Sequence, residues 1–140
     1  MTMTDTLPSV TRDFLAATLD AGTFGHADHV RVAWDLLHHH DFLAAADLYL
    51  RGIAAIADRA GAPQKVNLTI TLAFLSLIAE RMAGRPGQDF AAFAADHPDL
   101  MRKDLLAGCY SPERLHSDTA RRLFLLPDAG PAPSPGAHVI

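Results

Sequence analysis

The chain has 140 residues, 49% of them hydrophobic, with a formal net charge of -4; this is the size of one domain, with enough apolar material for a packed core. The acidic balance, with no basic block and only pairs such as Arg121-Arg122, argues against a nucleic-acid partner, whose phosphates demand clustered Lys and Arg. The single cysteine, Cys109, excludes an internal disulfide and points to a reducing compartment.

Alanine is abundant and β-branched runs are scarce, so helix is favoured along the chain. No alternating strand pattern and no internal repeat is present. The expected fold is all-α, a compact single-domain helical bundle of about four main helices plus short C-terminal helices, with the domain spanning residues 1–128. The start, Met1 to Thr6, lacks a basic region followed by an apolar run, so no leader is expected. The first helix is predicted from Ser9 to Asp20, capped by Ser9 and stopped by Gly22. The second runs from His26 to His39 and the third from Asp41 to Ala60, with Gly61 and Pro63 as punctuation.

The junction of the second and third helices holds neither Gly nor Pro. The apolar stripe of the second (Val30, Ala33, Leu36, Leu37) and that of the third (Phe42, Ala46, Tyr49, Ile53, Ile56, Ala57, Ala60) would point in opposite directions on one straight helix. A break near His40-Asp41, with Asp41 as N-cap, brings both stripes onto one core. The fourth helix is predicted from Gln64 to Ala83, ending at Gly84 and Pro86. Its Val66–Ala79 stretch is the most apolar in the chain, but Asn67, Thr69, Thr71 and Ser76 interrupt it and it is too short for a membrane span. It reads as a buried core helix, no membrane partner is expected, and the protein is expected to be soluble and cytoplasmic.

Shorter helices follow, from Gln88 to Asp96 and from Pro98 to Ala107. Ser111-Pro112-Glu113 is an N-cap with proline at the first helical position, and Ser117 can cap a last helix through Phe124. Residues 129–140, rich in Gly, Ala and Pro, read as a disordered tail.

The polar residues that break these patterns suggest a site. On the fourth helix Thr69, Ser76 and Glu80 share the expected solvent face, while Asn67 and Thr71 fall opposite it, among Phe74 and Ile78. A buried amide or hydroxyl left without a partner costs about 1–3 kcal/mol, so each needs a partner in the protein, a water or a ligand. On the second helix Asp28, Arg31, Asp35, His38 and His39 fall on the polar side, and His26 and His29 on the apolar side, spaced so that their rings can converge. The His38-His39-His40 run reads as a solvated turn. Short connections make neighbouring helices antiparallel, so the second and fourth should run parallel with their N-termini at one end. His26, His29, Lys65, Asn67 and Thr71 then share one level of the core. Helix N-termini there would favour an anion or carbonyl oxygen and, with burial, would lower histidine pKa values.

Two stretches, Phe24-Gly25-His26-Ala27-Asp28-His29-Val30-Arg31-Val32-Ala33-Trp34 and Lys65-Val66-Asn67-Leu68-Thr69-Ile70-Thr71, resemble a family of small bacterial all-helical proteins. The closing segment from Tyr110 to Asp128 resembles the same family, so the likeness runs roughly from Phe24 to Asp128. The resemblance implies an all-helical fold and assigns no activity, cofactor or catalytic residue. Some relatives have Tyr in place of Val66 and His in place of Asn67; a three-histidine site in those relatives would be incomplete here.

Three functional readings follow. In the first, a pocket takes a small polar or anionic molecule, with His26 or His29 as the catalytic acid or base, Asn67 and Thr71 orienting the ligand, and Lys65 offering charge at the rim. In the second, His26 and His29 are two ligands of a divalent transition metal, since imidazole suits Zn, Cu, Fe or Ni. Its further ligands lie at no obvious helical offset, though His97 or His116 could approach. In the third, the small-residue face of the third helix (Ala44, Ala45, Gly52, Ala54, Ala55) supports a non-enzymatic interaction protein or a homodimer. Cys109 reads as a structural cysteine.

Overall fold

The computed structural model describes residues 7–129, and among them there is no β-strand. Seven α-helices form among the described residues: α1 (Ser9–Leu15), α2 (His26–His39), α3 (Phe42–Arg59), α4 (Leu68–Gly84), α5 (Phe90–Asp96), α6 (Pro112–Leu115) and α7 (Asp118–Arg122). Single 3-10 turns lie at Ala21–Thr23, Pro63–Lys65, Pro98–Met101 and Leu105–Gly108. The all-α architecture is therefore as expected. The tail predicted over residues 129–140 lies outside the described residues, apart from Ala129, whose backbone N–H donates to the Cys109 carbonyl at 3.0 Å.

The break between α2 and α3 falls where the opposed stripes require it. His40 is extended (φ -134°, ψ 156°), and the Asp41 carboxylate accepts from the Ala44 N–H at 2.8 Å, satisfying one of the donors a helix start leaves free. Both stripes then enter one core, where Val30, Ala33 and Leu36 of α2 meet Ala46, Tyr49 and Ile56 of α3 and Phe74, Leu75 and Ile78 of α4. The outer members of the α3 stripe, Phe42 and Ala60, stay exposed.

Other boundaries differ from expectation for local reasons. α1 has Pro8, not Ser9, at its N-cap. It ends at Leu15 rather than Asp20, because Ala17 takes a left-handed conformation (φ 59°) that no continuing helix allows. α4 starts at Leu68 rather than Gln64: Pro63–Lys65 closes a 3-10 turn, Val66 is extended, and Asn67 is the N-cap. The helix expected over Pro98–Ala107 is two 3-10 turns, parted by a segment in which Arg102 grips Asp104.

Two side chains expected on solvent faces are buried. Asp35 of α2 is 2% exposed because α1 covers it: Thr11 donates its hydroxyl proton to Oδ2 at 2.6 Å, and Arg31 Nε donates to the same oxygen at 3.1 Å. Thr69 of α4 is fully buried because residues 123–125 run across it. Its hydroxyl donates to the Leu123 carbonyl at 2.6 Å and accepts from the Leu125 N–H at 3.0 Å. The same strap is held by the Tyr110 hydroxyl on the Leu125 carbonyl, Arg114 Nε on the Leu126 carbonyl, and Ser111 on Asp128. Beneath it Leu106, Tyr110 and Leu115 form a smaller cluster with Ile70, Ala73 and Cys109, consistent with a packing role for that cysteine.

Of the small-residue face on α3, Gly52 and Ala45 are used within the chain. Gly52 lies so close under the Phe14 ring of α1 that a methyl there would overlap it, and Ala45 is fully buried. Ala44 and Ala54 face solvent. No described helix is long and apolar enough to cross a membrane.

Candidate functional site

α2 and α4 run in the same direction, as their side chains show. Residues from the N-terminal ends of both line one cleft, and residues from the C-terminal ends of both, Leu37 and His38 with Met82 and Ala83, line another. The first cleft, of about 440 Å³, is within the usual range of small-molecule sites. It brings together all five residues singled out from the sequence: His26, His29, Lys65, Asn67 and Thr71. Phe24, Tyr49, Ile53 and Phe74 add apolar wall, and Arg102 and Lys103 add charge from the segment between the two late 3-10 turns.

His29 is the most constrained of the five. Its ring lies 4.2 Å, centroid to centroid, from Phe24 and 6.5 Å from His26, and its Nδ1 is 3.2 Å from the Tyr49 hydroxyl. Burial pushes the Tyr49 hydroxyl well above its ordinary pKa, so it keeps its proton. That buried O–H has His29 Nδ1 as its partner and therefore donates to it, which places the ring proton of neutral His29 on Nε2. Burial, helped by the nearby His26 and opposed by Asp28, lowers the His29 pKa from 6.5 to about 4. At neutral pH His29 is thus an uncharged N–H donor. Its Nε2 has no partner among the described residues and is not fully buried, in a ring that lines the cleft.

His26 is held differently. Its Nε2–H donates to the Leu100 carbonyl at 2.8 Å, and its ring packs 5.4 Å from Phe74. In the neutral ring this bond leaves the lone pair on Nδ1.

Asn67 and Thr71 find their partners inside the protein. Asn67 Oδ1 accepts from the Ile70 N–H at 2.9 Å and Nδ2 donates to the Leu115 carbonyl at 2.8 Å, so one amide caps α4 and ties it to α6. Thr71 donates its hydroxyl proton to the Asn67 carbonyl at 2.8 Å, the back-bond available to any helical threonine. Both form wall: the Thr71 hydroxyl proton and one of the two Asn67 amide N–H groups are engaged within the protein. At the start of α2 the Asp28 carboxylate accepts from the Gly25 N–H at 3.0 Å. Asn67 caps the start of α4, whereas at α2 Asp28 accepts only from the N–H of the N-cap residue Gly25; attraction for an anion is reinforced by the side-chain cations.

Those cations stand at the mouth. Lys65, Arg102 and Lys103 are exposed. Arg102 shares its charge with Asp104, whereas neither lysine has an ion-pair partner among the described residues. No Asp or Glu lines this cleft. Sequence patterns did not reach Arg102 and Lys103: the signal was an adjacent cationic pair, but a pair in non-helical chain has no periodicity to aim it.

For a metal, the arrangement supplies two rings and no more. Among the described residues no three His, Cys, Asp or Glu side chains come together as a metal site. His97 is bonded to Arg81 through Nδ1 at 3.0 Å, and His116 lines a neighbouring cleft; neither lines the cleft of His26 and His29. His38 and His39 are exposed at the other end of α2, His38 stacked on Trp34 at 4.9 Å. The chain matches no family model, no curated protein and no solved structure in comparisons with known proteins.

Proposed function

We propose that this protein binds a small organic anion, an acid group on an apolar body, in the cleft at the N-terminal ends of α2 and α4. The observation that carries the reading is the charge of the lining: Lys65, Arg102 and Lys103 with no carboxylate, in a chain whose net charge is -4. Cations focused at a low-dielectric mouth raise the local concentration of an anion. The Nε2–H of His29 offers a neutral donor to the acid group, and Phe24, Ile53 and Phe74 offer contact to the apolar body. The lone Cys109 fits a reducing compartment such as the cytoplasm.

The test is calorimetric titration with hexanoate and with inorganic phosphate, at low and at high salt. Hexanoate should bind with an affinity that falls as salt rises. The double variant Lys65→Ala, Lys103→Ala should weaken it by about tenfold or more, the scale of one lost charge-assisted contact. Absence of binding to either anion, or binding indifferent to both lysines, overturns the reading.

A second reading, acid–base chemistry on the bound molecule, is favoured by one observation. The Leu100 carbonyl fixes the His26 tautomer, as a base needs. His29, with a pKa of about 4, is too weakly basic for that role at neutral pH, so His26 is the residue assigned it. Recovery of every bound probe unchanged after prolonged incubation would leave binding alone.

A further inference from the structure

The cleft of His26 and His29 adjoins a second one, of about 340 Å³. Ile70, Lys103 and Leu106 line both and form the divide between them. One of those three, Lys103, is an exposed side chain with no ion pair among the described residues, so the divide is partly a flexible side chain rather than backbone. The second cleft differs from the first in character. Its walls are mainly apolar, with Tyr110, Pro112 and Leu115 beyond the divide, and its one acidic residue is Asp104.

We infer that the two clefts form one groove whose occupant is an elongated amphipathic anion, a straight-chain carboxylate with its acid group in the first cleft and its alkyl chain lying across Leu106 into the second. This rests on the anion reading of the first cleft and adds the ligand's shape. Charge fixes the orientation. The first cleft has Lys65 and Arg102 beside Lys103 and no carboxylate in its lining, whereas in the second Lys103 stands beside Asp104, which is paired with Arg102. Shape fixes the length requirement. A short acid reaches the first cleft only, and further methylenes meet Ile70 and Leu106 and then the wall of Tyr110 and Leu115. Lys103, at the divide, can pair with the acid group while its own methylene stem lies along the alkyl chain, as long cationic side chains do on apolar surface.

The experiment is a calorimetric series of straight-chain carboxylates from butanoate to dodecanoate, with the matching alcohols as uncharged controls. Affinity should rise with each methylene by up to about fourfold, the equivalent of ~0.8 kcal/mol per buried CH₂, and then level off when the groove is full. The alcohols should bind at least about tenfold more weakly, the loss of one charge-assisted contact. Ala107 is exposed and lines only the second cleft, so Ala107→Trp can fill that cleft without disturbing the core. This variant should bind butanoate as the native protein does and lose the gain of the longer acids. Butanoate binding with no gain on lengthening, or a gain that Ala107→Trp leaves intact, overturns the two-cleft groove while the anion site stands. Alcohols binding as well as acids, or no acid binding at any length, removes the anion reading and this inference together.

Discussion

His29 stays neutral in the folded protein down to about pH 4, whereas the unperturbed ring titrates at 6.5. The unfolded chain therefore takes up a proton near 6.5 that the folded protein refuses until about 4. Stability from this group is complete above pH 6.5 and is lost progressively as pH falls through the window toward 4. With those two values, the loss between pH 7.5 and pH 4.5 is on the order of 2–3 kcal/mol. The comparison is with His29→Gln, which cannot titrate and can still meet the Tyr49 hydroxyl. Protonation of carboxylates remote from the ring acts on both proteins and cancels in the difference. Urea unfolding followed by the fluorescence of Trp34, the one tryptophan and 7% exposed, gives stability at each pH. The native protein should lose on the order of 2–3 kcal/mol more than the variant over this range. Parallel profiles would show that the ring takes up its proton in the folded state as readily as in water, and that the burial argued for the cleft is wrong.

Three further outcomes are expected. Gly52→Ala forces a methyl into the Phe14 ring and should cost about 1–3 kcal/mol by overpacking, read as a lower urea midpoint. Thr69→Val keeps the shape and removes both bonds to the strap; it should cost about 1–3 kcal/mol and speed amide exchange at Leu125, whose N–H the hydroxyl accepts. Asn67→Asp keeps an oxygen for the Ile70 N–H but loses the donor to Leu115. The carboxylate oxygen it sets against the Leu115 carbonyl is unfavourable in a buried position, so it should be less stable than native while keeping the α4 cap, whereas Asn67→Ala loses the cap, at a cost of about 1 kcal/mol.

Helical periodicity and capping chemistry made much of the fold legible in the sequence. The α2–α3 break followed from two stripes that one helix cannot bury together, and its cap from Asp41. The parallel course of α2 and α4 followed from short connections, and with it the meeting of His26, His29, Lys65, Asn67 and Thr71 at one cleft. What escaped depended on chain distant in sequence. Asp35 is polar and lies on the polar side of α2, so only the placement of α1 could bury it. Thr69 sits on the α4 face that the strap at 123–125 covers, and no wheel of α4 contains that strap. Asn67 was legible as a polar residue needing a partner, but its two partners, the Ile70 N–H and the Leu115 carbonyl, depend on where α4 starts. Arg102 and Lys103 reach the cleft from non-helical chain, where periodicity has nothing to say.

The central claim is that an anion enters beside His26 and His29, and the histidines of α2 carry their own internal control. Ring resonances of His26, His29, His38 and His39 can be followed by nuclear magnetic resonance during a hexanoate titration at constant pH. Saturable shifts at His26 and His29, with His38 and His39 at the far end of the helix unmoved, are the predicted result. Shifts of equal size at both ends, or none at His26 and His29 up to millimolar ligand, would contradict it.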